Sequence, residues 1–393
     1  MKNVARIAVV VERSSAYGRS VIRGIADFAS ARPDLEFSLI DPRGVMSRIS
    51  GDFDGYICRI PDEAPVAAIA RLGRPVVDLL CLHPAESFAT VRPDTDAIGR
   101  LAANHFLSRK FSNFAFCGYR HIGFSDIRRN VFASFLEKMR YRPSIYRPPM
   151  SPRNRFGRDF VLGDRVDTPP DAEDVAKWLE KIPKPVGVFC CDDLRASQVA
   201  AICKSLGMSV PGDVAILGVD NDPVYCVFSN PRLSSIDPDS AEIGRRAAAV
   251  LAGMLAGSGS ASKPPAVIVP PKGVVAREST NVYPGAPRWL PDALAYIGSN
   301  ASKGISASDV FAHTGYSRTL VEKAFKDTLS RTVQQEIASA RIVEAQRLLA
   351  TTFLSVKEVA LHSGFSSVEY FSKIFTGATG MTASAWREKN AVQ

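Results

Sequence analysis

Residues 354–375 read LSVKEVALHSGFSSVEYFSKIF, which is the pattern of a short helix, a tight turn and a second helix. Gly364 favours the left-handed backbone conformation in which a helix ends before such a turn. Ser367 is suited to cap the N-terminus of the second helix, whose inward face we assign to Phe371 and Phe375. The stretch therefore predicts a helix-turn-helix, a motif whose second helix enters the major groove of DNA.

An earlier stretch repeats this pattern. Residues 305–325 read ISASDVFAHTGYSRTLVEKAF and align with the later unit on Gly315. Phe325, together with Leu320 or Val321, forms the predicted inward face of the second helix. A single unit is equally typical of an ordinary helical hairpin, whereas two units joined by a long helix over 331–350 favour an all-α domain that reads DNA.

This C-terminal domain resembles the AraC/XylS family of transcription regulators over about 105 residues. The matching positions are Val359, Ala360, Gly364, Phe365, Tyr370, Phe371, Phe375, Thr379, Gly380, Thr382 and Arg387. Ala383 departs from the family, which usually has proline there. The resemblance implies that both second helices dock in successive major grooves of double-stranded DNA. The residues to which it assigns DNA contacts are Ser317, Arg318, Thr319, Glu322, Lys323, Ser367, Glu369, Ser372 and Lys373. For each single charge, a solvated helix face is the alternative.

Upstream, to about residue 240, short apolar runs alternate with amphipathic helical stretches at least six times. The runs are nearly continuous in hydrophobicity, which is typical of parallel strands covered by helices on both faces. We therefore predict a doubly wound α/β region. The predicted strands are 7–11, 35–40, 55–60, 76–80, 113–117, 186–191 and 214–219. The predicted helices are 17–31, 64–72, 95–109, 128–139, 172–181, 196–206 and 241–255. A proline- and arginine-rich stretch over 141–170 predicts a loop.

Composition sets the outer limits. The 393 residues carry a formal net charge of +9, which permits a polyanionic partner without requiring one. The seven cysteines lie mostly in apolar runs and lack the C-x-x-C spacing of a zinc or redox site, so we predict core thiols, a reducing compartment and no metal. With neither a signal peptide nor a membrane span, the sequence predicts a cytoplasmic protein. We predict domains over 1–282 and 289–393, with a Pro/Gly linker over 283–288.

Enzyme motifs are missing where the sheet would present them. Neither a phosphate-binding loop, a dinucleotide-binding glycine motif nor a nucleophile elbow follows a predicted strand. Carboxylates instead recur around the predicted elements: Asp192 and Asp220 follow predicted strands, and Asp94 lies just before a predicted helix. They lie where ligands bind open α/β sheets, although helix capping is the alternative.

The α/β region resembles the LacI/GalR family of sugar sensors, which is similar to the periplasmic sugar-binding proteins, over about residues 4–280. The matching stretches include 94–96, 191–193, 211–220, 233–236 and 277–280. The resemblance implies a two-lobed sensor with no cofactor. The predicted ligand contacts are Tyr17, Asp94, Arg128, Asp192 and Asp220, with Arg129 competing with Arg128. Paired hydrogen bonds from charged groups and an aromatic wall suit a sugar.

The combination of the two families resembles regulators of xylose operons. It implies a non-enzymatic activator that binds D-xylose or a related sugar, works as a homodimer and contacts RNA polymerase. Ligand would close the two lobes and reposition the DNA-reading domains. The alternatives are a sugar- or nucleotide-processing enzyme with an attached helical domain, and a DNA-binding protein that senses no ligand.

Overall fold

The chain divides into two units, Met1–Asn281 and Val282–Gln393. The computed structural model describes residues 4–40, 52–59, 63–80, 86–119, 122–147, 169, 171–257 and 264–390. Most of the predicted loop over 141–170 lies outside the described residues. The predicted linker stays a prediction.

The first unit consists of two six-stranded sheets covered by helices. The strands are β1 Ala5–Val10, β2 Leu35–Ile40, β3 Gly55–Cys58, β4 Val76–Asp78, β5 Ala89–Pro93, β6 Asn113–Cys117, β7 Ser144–Ile145, β8 Val186–Cys190, β9 Val214–Val219, β10 Ser234–Asp237, β11 Ala266–Val269 and β12 Gly273–Val275. The sheet orders are β11-β5-β4-β3-β1-β2 and β12-β10-β9-β8-β6-β7. Every pair is parallel except β10 with β12. The predicted α/β class is confirmed.

The helices of the first unit alternate with these strands. They are α1 Ala16–Ala29, α2 Glu63–Ala70, α3 Thr95–Ser108, α4 Gly123–Lys138, α5 Ala172–Lys181, α6 Asp193–Ser205, α7 Pro223–Phe228 and α8 Ser240–Leu255. The chain passes between the two sheets three times: from β5 to α3, from β10 to α8 and from β11 to β12. Each sheet with its helices therefore forms one lobe.

The sequence did not predict the start of α4 or the strands β5 and β10. Helix α4 begins at Gly123, five residues before the predicted start, and no side chain caps it. Strands β5 and β10 are short, and β10 buries the polar Ser234 and Ser235. Without a capping residue or an apolar run, the sequence carries no start signal at these places.

Helices α1 and α8 pack closely enough for their backbones to touch. A Cβ atom added to Gly24 would lie 1.8 Å from the carbonyl oxygen of Ala241, and one on Gly244 would lie 2.0 Å from that of Val21. Glycine is therefore required at both positions by contact with backbone. The crossing helps to close the core of the first lobe, which includes Ile243.

The second unit is all-helical, as predicted. Its helices are α9 Leu290–Asn300, α10 Ala307–Thr314, α11 Arg318–Leu329, α12 Val333–Thr351, α13 Val356–His362, α14 Val368–Thr379 and α15 Ala383–Asn390. Helix α12 contributes to two cores, one around α9 to α11 and one around α13 to α15. Ala383, where the related family usually has proline, is buried and begins α15.

The turns of both helix-turn-helix units have the predicted chemistry. Gly315 and Gly364 take φ values of +70° and +87°, which few other residues adopt. The side chains of Ser317 and Ser367 accept hydrogen bonds from the backbone N–H groups of Leu320 and Tyr370, at 3.4 and 3.2 Å. The twin helix-turn-helix prediction is confirmed.

The described cysteines behave as core residues. Six of them are buried free thiols, and burial raises their pKa, in the case of Cys117 to about 11. In the part of the chain that the structure describes, no helix could span a membrane and no three His, Cys, Asp or Glu side chains cluster as potential metal ligands.

The α1–α8 crossing leads to a stability prediction. We expect Gly244→Ala to destabilise the first unit by about 1–3 kcal/mol or more, because the new methyl group would overlap backbone. Gly253→Ala in the same helix is the control, since a Cβ there meets nothing within 4 Å and alanine is up to about 1 kcal/mol better in a helix. Urea unfolding followed by circular dichroism distinguishes them. Equal effects of the two substitutions would contradict the packing argument.

Candidate functional site

A cavity of about 290 Å³ lies between the two lobes of the first unit. It is lined by Tyr17, Arg59, Leu79, Leu80, Arg92, Pro93, Thr95, Phe124, Ile127, Arg128 and Asp220. Most of these residues follow or end strands β3, β4, β5 and β9, and the others lie on α1, α3 and α4. The carboxyl ends of parallel strands are where ligands bind open α/β sheets. The volume suits a molecule of monosaccharide size.

On the first lobe, the wall is built around a buried ion pair. Arg59 donates to Glu12 Oε1 at 2.8 Å, and Ser15 Oγ donates to the same oxygen at 2.7 Å. The Arg59 guanidinium lies 5.2 Å from the centre of the Tyr17 ring, and the attraction between this cation and the face of the ring helps to hold Tyr17 in place. Burial raises the pKa of the Tyr17 hydroxyl, which therefore stays neutral and can donate a hydrogen bond.

On the second lobe, Arg128 and Asp220 form the polar wall. Arg128 is 4% exposed, donates to the carbonyl oxygen of Cys191 and places Nη2 3.9 Å from Asp220 Oδ1. Asp220 has a φ of +103°, a strained conformation for a residue with a side chain, and such strain is concentrated at functional sites. Arg129, the competitor of Arg128 in the sequence prediction, is half-buried, does not line the cavity and pairs with Asp126 at 2.6 Å.

The structure places two of the predicted ligand contacts elsewhere. Asp94 Oδ1 accepts from the backbone N–H of Ala97 at 2.8 Å, and Asp192 Oδ1 accepts from that of Arg195 at 2.7 Å. Both carboxylates cap helices, α3 and α6, and neither lines the cavity. Three predicted residues, Tyr17, Arg128 and Asp220, are brought together in it.

Sequence reasoning missed the arginines of the first lobe. Arg59 directly follows β3, and Arg92 lies near the end of β5. The same strand-end position that singled out the carboxylates would have identified Arg59. Arg92 had no such signal, because β5 was not predicted.

One ion pair spans the mouth of the cleft. Arg19 on α1 lies 3.7 Å from Asp222, which caps α7 on the second lobe. The Arg19 side chain is 44% exposed, so the pair contributes no more than about 1 kcal/mol. It is a weak contact between the two lobes.

The second unit presents the predicted DNA-reading faces to solvent. The exposed members of the predicted set are Ser317, Arg318, Thr319, Lys323, Ser367, Glu369, Ser372 and Lys373. Glu322 is half-buried, and its Oε2 accepts from the backbone N–H of Val333 at 3.5 Å. On α11, Val321 is fully buried and Leu320 is 44% exposed, so Val321 forms the inward face with Phe325.

A single arginine connects the two helix-turn-helix units. Arg341 on α12 donates to the carbonyl oxygens of Ala301 and Ile305, at 3.1 and 2.8 Å, and lies 5.8 Å from the centre of the Phe365 ring. Ala301 and Ile305 precede α10, the first helix of the first helix-turn-helix, whereas Phe365 belongs to the turn of the second helix-turn-helix. The contact fixes the spacing between the two units.

Two family models match the chain. A periplasmic binding protein-like domain matches residues 103–280, and a helix-turn-helix domain matches residues 310–389. The first covers the second lobe and the last strands, and the second covers most of the all-helical unit.

Curated relatives extend over nearly the whole chain. The xylose operon regulatory protein of Escherichia coli strain K12 is 26% identical over 400 residues, which cover 98% of this chain and 97% of the relative. That of Haemophilus influenzae is also 26% identical, over 97% and 98%. The transcriptional activator RhaR of Salmonella dublin is 33% identical over 113 residues, 28% of this chain and 40% of that protein.

Solved structures have the same fold. A xylose-binding transcription activator, xylR, is similar with a TM-score of 0.60 and 24% identity over 98% of both chains. A LacI family regulator from Enterococcus faecium with bound ribose has a TM-score of 0.56 and 19% identity, over 70% of this chain and 98% of that one. The chain is thus a homologue of xylose operon regulatory proteins along almost its whole length, and it has the domain composition of a sugar-responsive, DNA-binding transcription regulator.

Proposed function

We propose that this protein activates transcription of sugar-utilisation genes when a monosaccharide occupies the cleft of its first unit. The observation that carries the proposal is a polar, aromatic-walled cavity between two lobes on the same chain as twin helix-turn-helix units. D-xylose is the first candidate effector, because the full-length relatives are named as xylose operon regulators. Activation is supported by the relative RhaR, which is named as an activator.

The cleft residues suit a sugar. Arg128 and Asp220 offer adjacent charged donors and acceptors, which can hold neighbouring hydroxyl groups with paired hydrogen bonds. The ring of Tyr17 offers an apolar face for the sugar's carbon atoms. Together they bind the ligand from both lobes at once.

Closure follows from that shared binding. A ligand held by both lobes binds the closed arrangement more tightly than the open one and shifts the balance toward it. The Arg19–Asp222 pair adds a small bias in the same direction. We propose that closure repositions the DNA-reading domains of a homodimer relative to two half-sites, and that the bound protein contacts RNA polymerase.

The role we propose is non-enzymatic. The homologues are transcription regulators, and the cleft residues are accounted for by binding. A DNA-binding role also supports a cytoplasmic location. If NMR showed that the purified protein converts a sugar or a nucleotide into a product, that result would favour the enzyme alternative instead.

Arg128 gives the direct test of effector binding. We expect a monosaccharide to raise the melting temperature of the full-length protein and Arg128→Met to weaken its binding by about tenfold or more, because a hydrogen bond from a charged group is lost. Isothermal titration calorimetry measures the affinity. Asp220→Asn serves as a second variant, and Arg129→Met, on the same helix but outside the cavity, should bind as the wild type does. If no monosaccharide, neutral or acidic, binds the wild type, the sensing role is wrong.

The exposed cations of α11 and α14 give the test of DNA reading. Arg318→Ala and Lys373→Ala should each weaken binding to the operator by about tenfold. If the lost contact is to a phosphate, the slope of log K against log salt concentration should fall by about one. Fluorescence anisotropy at several salt concentrations measures both effects. Arg347→Ala is the control, because Arg347 pairs with Glu344 on the connecting helix. Unchanged binding by both variants would place the DNA contacts on another face.

A substitution of Arg341 tests whether the two helix-turn-helix motifs read DNA at a fixed spacing. Arg341→Met removes the hydrogen bonds to Ala301 and Ile305, so the spacing between the two helix-turn-helix motifs is no longer fixed by them. We expect affinity for an operator with both groove sites to fall by about tenfold, with little change for DNA in which one groove site is scrambled. Equal losses on both DNAs would instead indicate a general loss of folding.

A further inference from the structure

The charges lining the cavity are unevenly distributed. Its wall carries three guanidinium groups, those of Arg59, Arg92 and Arg128, but a single carboxylate, that of Asp220. A cleft with this excess of cations concentrates a field that favours anions. An anionic ligand would bind most strongly at a cation that has no carboxylate partner within the protein.

Two of the three arginines have carboxylate partners. Arg59 is held by Glu12 at 2.8 Å, and Arg128 lies 3.9 Å from Asp220. Another carboxylate close by, that of Asp78 at the end of β4, is buried, accepts from the backbone N–H of Leu80 at 2.9 Å and does not line the cavity.

Arg92 is different. Among the described residues, none forms a hydrogen bond or an ion pair with its side chain, although the residue lies half-buried in the cavity wall. It lies near the carboxyl end of β5, beside Pro93 and close to Thr95, where the chain first passes from one lobe to the other. A partly desolvated guanidinium is costly when it has no anion to bind, and its planar donors match a carboxylate or a phosphate.

From this arrangement we propose that the effector is a monosaccharide bearing an anionic group, a sugar acid or a sugar phosphate, with the anion bound by Arg92. The inference rests on the proposed sensing function and replaces its first candidate, the neutral D-xylose, with an anionic sugar. Arg128 and Asp220 hold the hydroxyl groups, Tyr17 covers the ring, and Arg92 distinguishes the charged sugar from its neutral parent. Charge-assisted, two-point hydrogen bonding gives that selectivity.

The test compares matched ligands on the full-length protein. Isothermal titration calorimetry is run with D-xylose and with two sets of pyranoses that differ only at C6: D-glucose, D-glucuronate and D-glucose 6-phosphate, and D-galactose, D-galacturonate and D-galactose 6-phosphate. We expect at least one anionic ligand to bind about tenfold or more tightly than its neutral parent, as one additional charged hydrogen bond requires. A preference for the carboxylates identifies a sugar acid, and a preference for the phosphates identifies a sugar phosphate.

Variants of Arg92 assign the selectivity to this side chain. Arg92→Gln should bring the anionic ligand and its neutral parent to within about threefold of each other, whereas Arg92→Lys should keep part of the preference because it keeps the charge. Arg100→Gln on α3, an exposed arginine outside the cavity, should behave as the wild type. The melting temperature without ligand shows whether each variant is folded.

Three results would overturn the proposal in distinguishable ways. Neutral sugars that bind as tightly as the anionic ones would overturn the anionic ligand class and leave the sensing function standing. An anion preference that survives Arg92→Gln would overturn the role of Arg92. No binding of any ligand in the panel would overturn the sensing function itself.

Discussion

The parallel pairing of the strands is the constraint on which the first unit depends. Because parallel strands begin at one edge of a sheet and end at the other, every loop after a strand meets at the same edge. The two sheets turn these edges toward one cavity, so residues as distant in sequence as Tyr17, Arg92 and Asp220 become neighbours of one ligand site. The three passages of chain between the sheets keep the edges opposed.

The helix-turn-helix units were predictable because the information that specifies them is local. A glycine suited to positive φ, a serine cap two or three residues later and large apolar residues one turn apart lie within about twenty residues, and all can be read without tertiary contacts. The remaining ambiguity at Leu320 and Val321 was one of rotation about the axis of α11. Packing against the rest of the unit resolved it, since Val321 is fully buried.

The cavity was only partly predictable, because a residue at a strand end has more than one possible use. Asp192 and Asp220 both follow a predicted strand, but Asp192 caps the next helix, as Asp94 does, whereas Asp220 lines the cavity in a strained conformation. That difference depends on how the chain leaves the strand, which no local pattern records. Arg92 was missed for a related reason: β5 is recognisable as a strand mainly through its pairing with β4 and β11.

The first lobe is discontinuous in sequence, and this has a consequence for the order of synthesis. Its core includes Ile243, Leu251 and Val269, which belong to α8 and β11 and come after the whole sheet of the second lobe except β12. A nascent chain therefore leaves the face of this sheet on which α8 packs only partly covered until α8 has left the ribosome, by which time most of the second lobe is available to fold. The lobe made first is the lobe completed last.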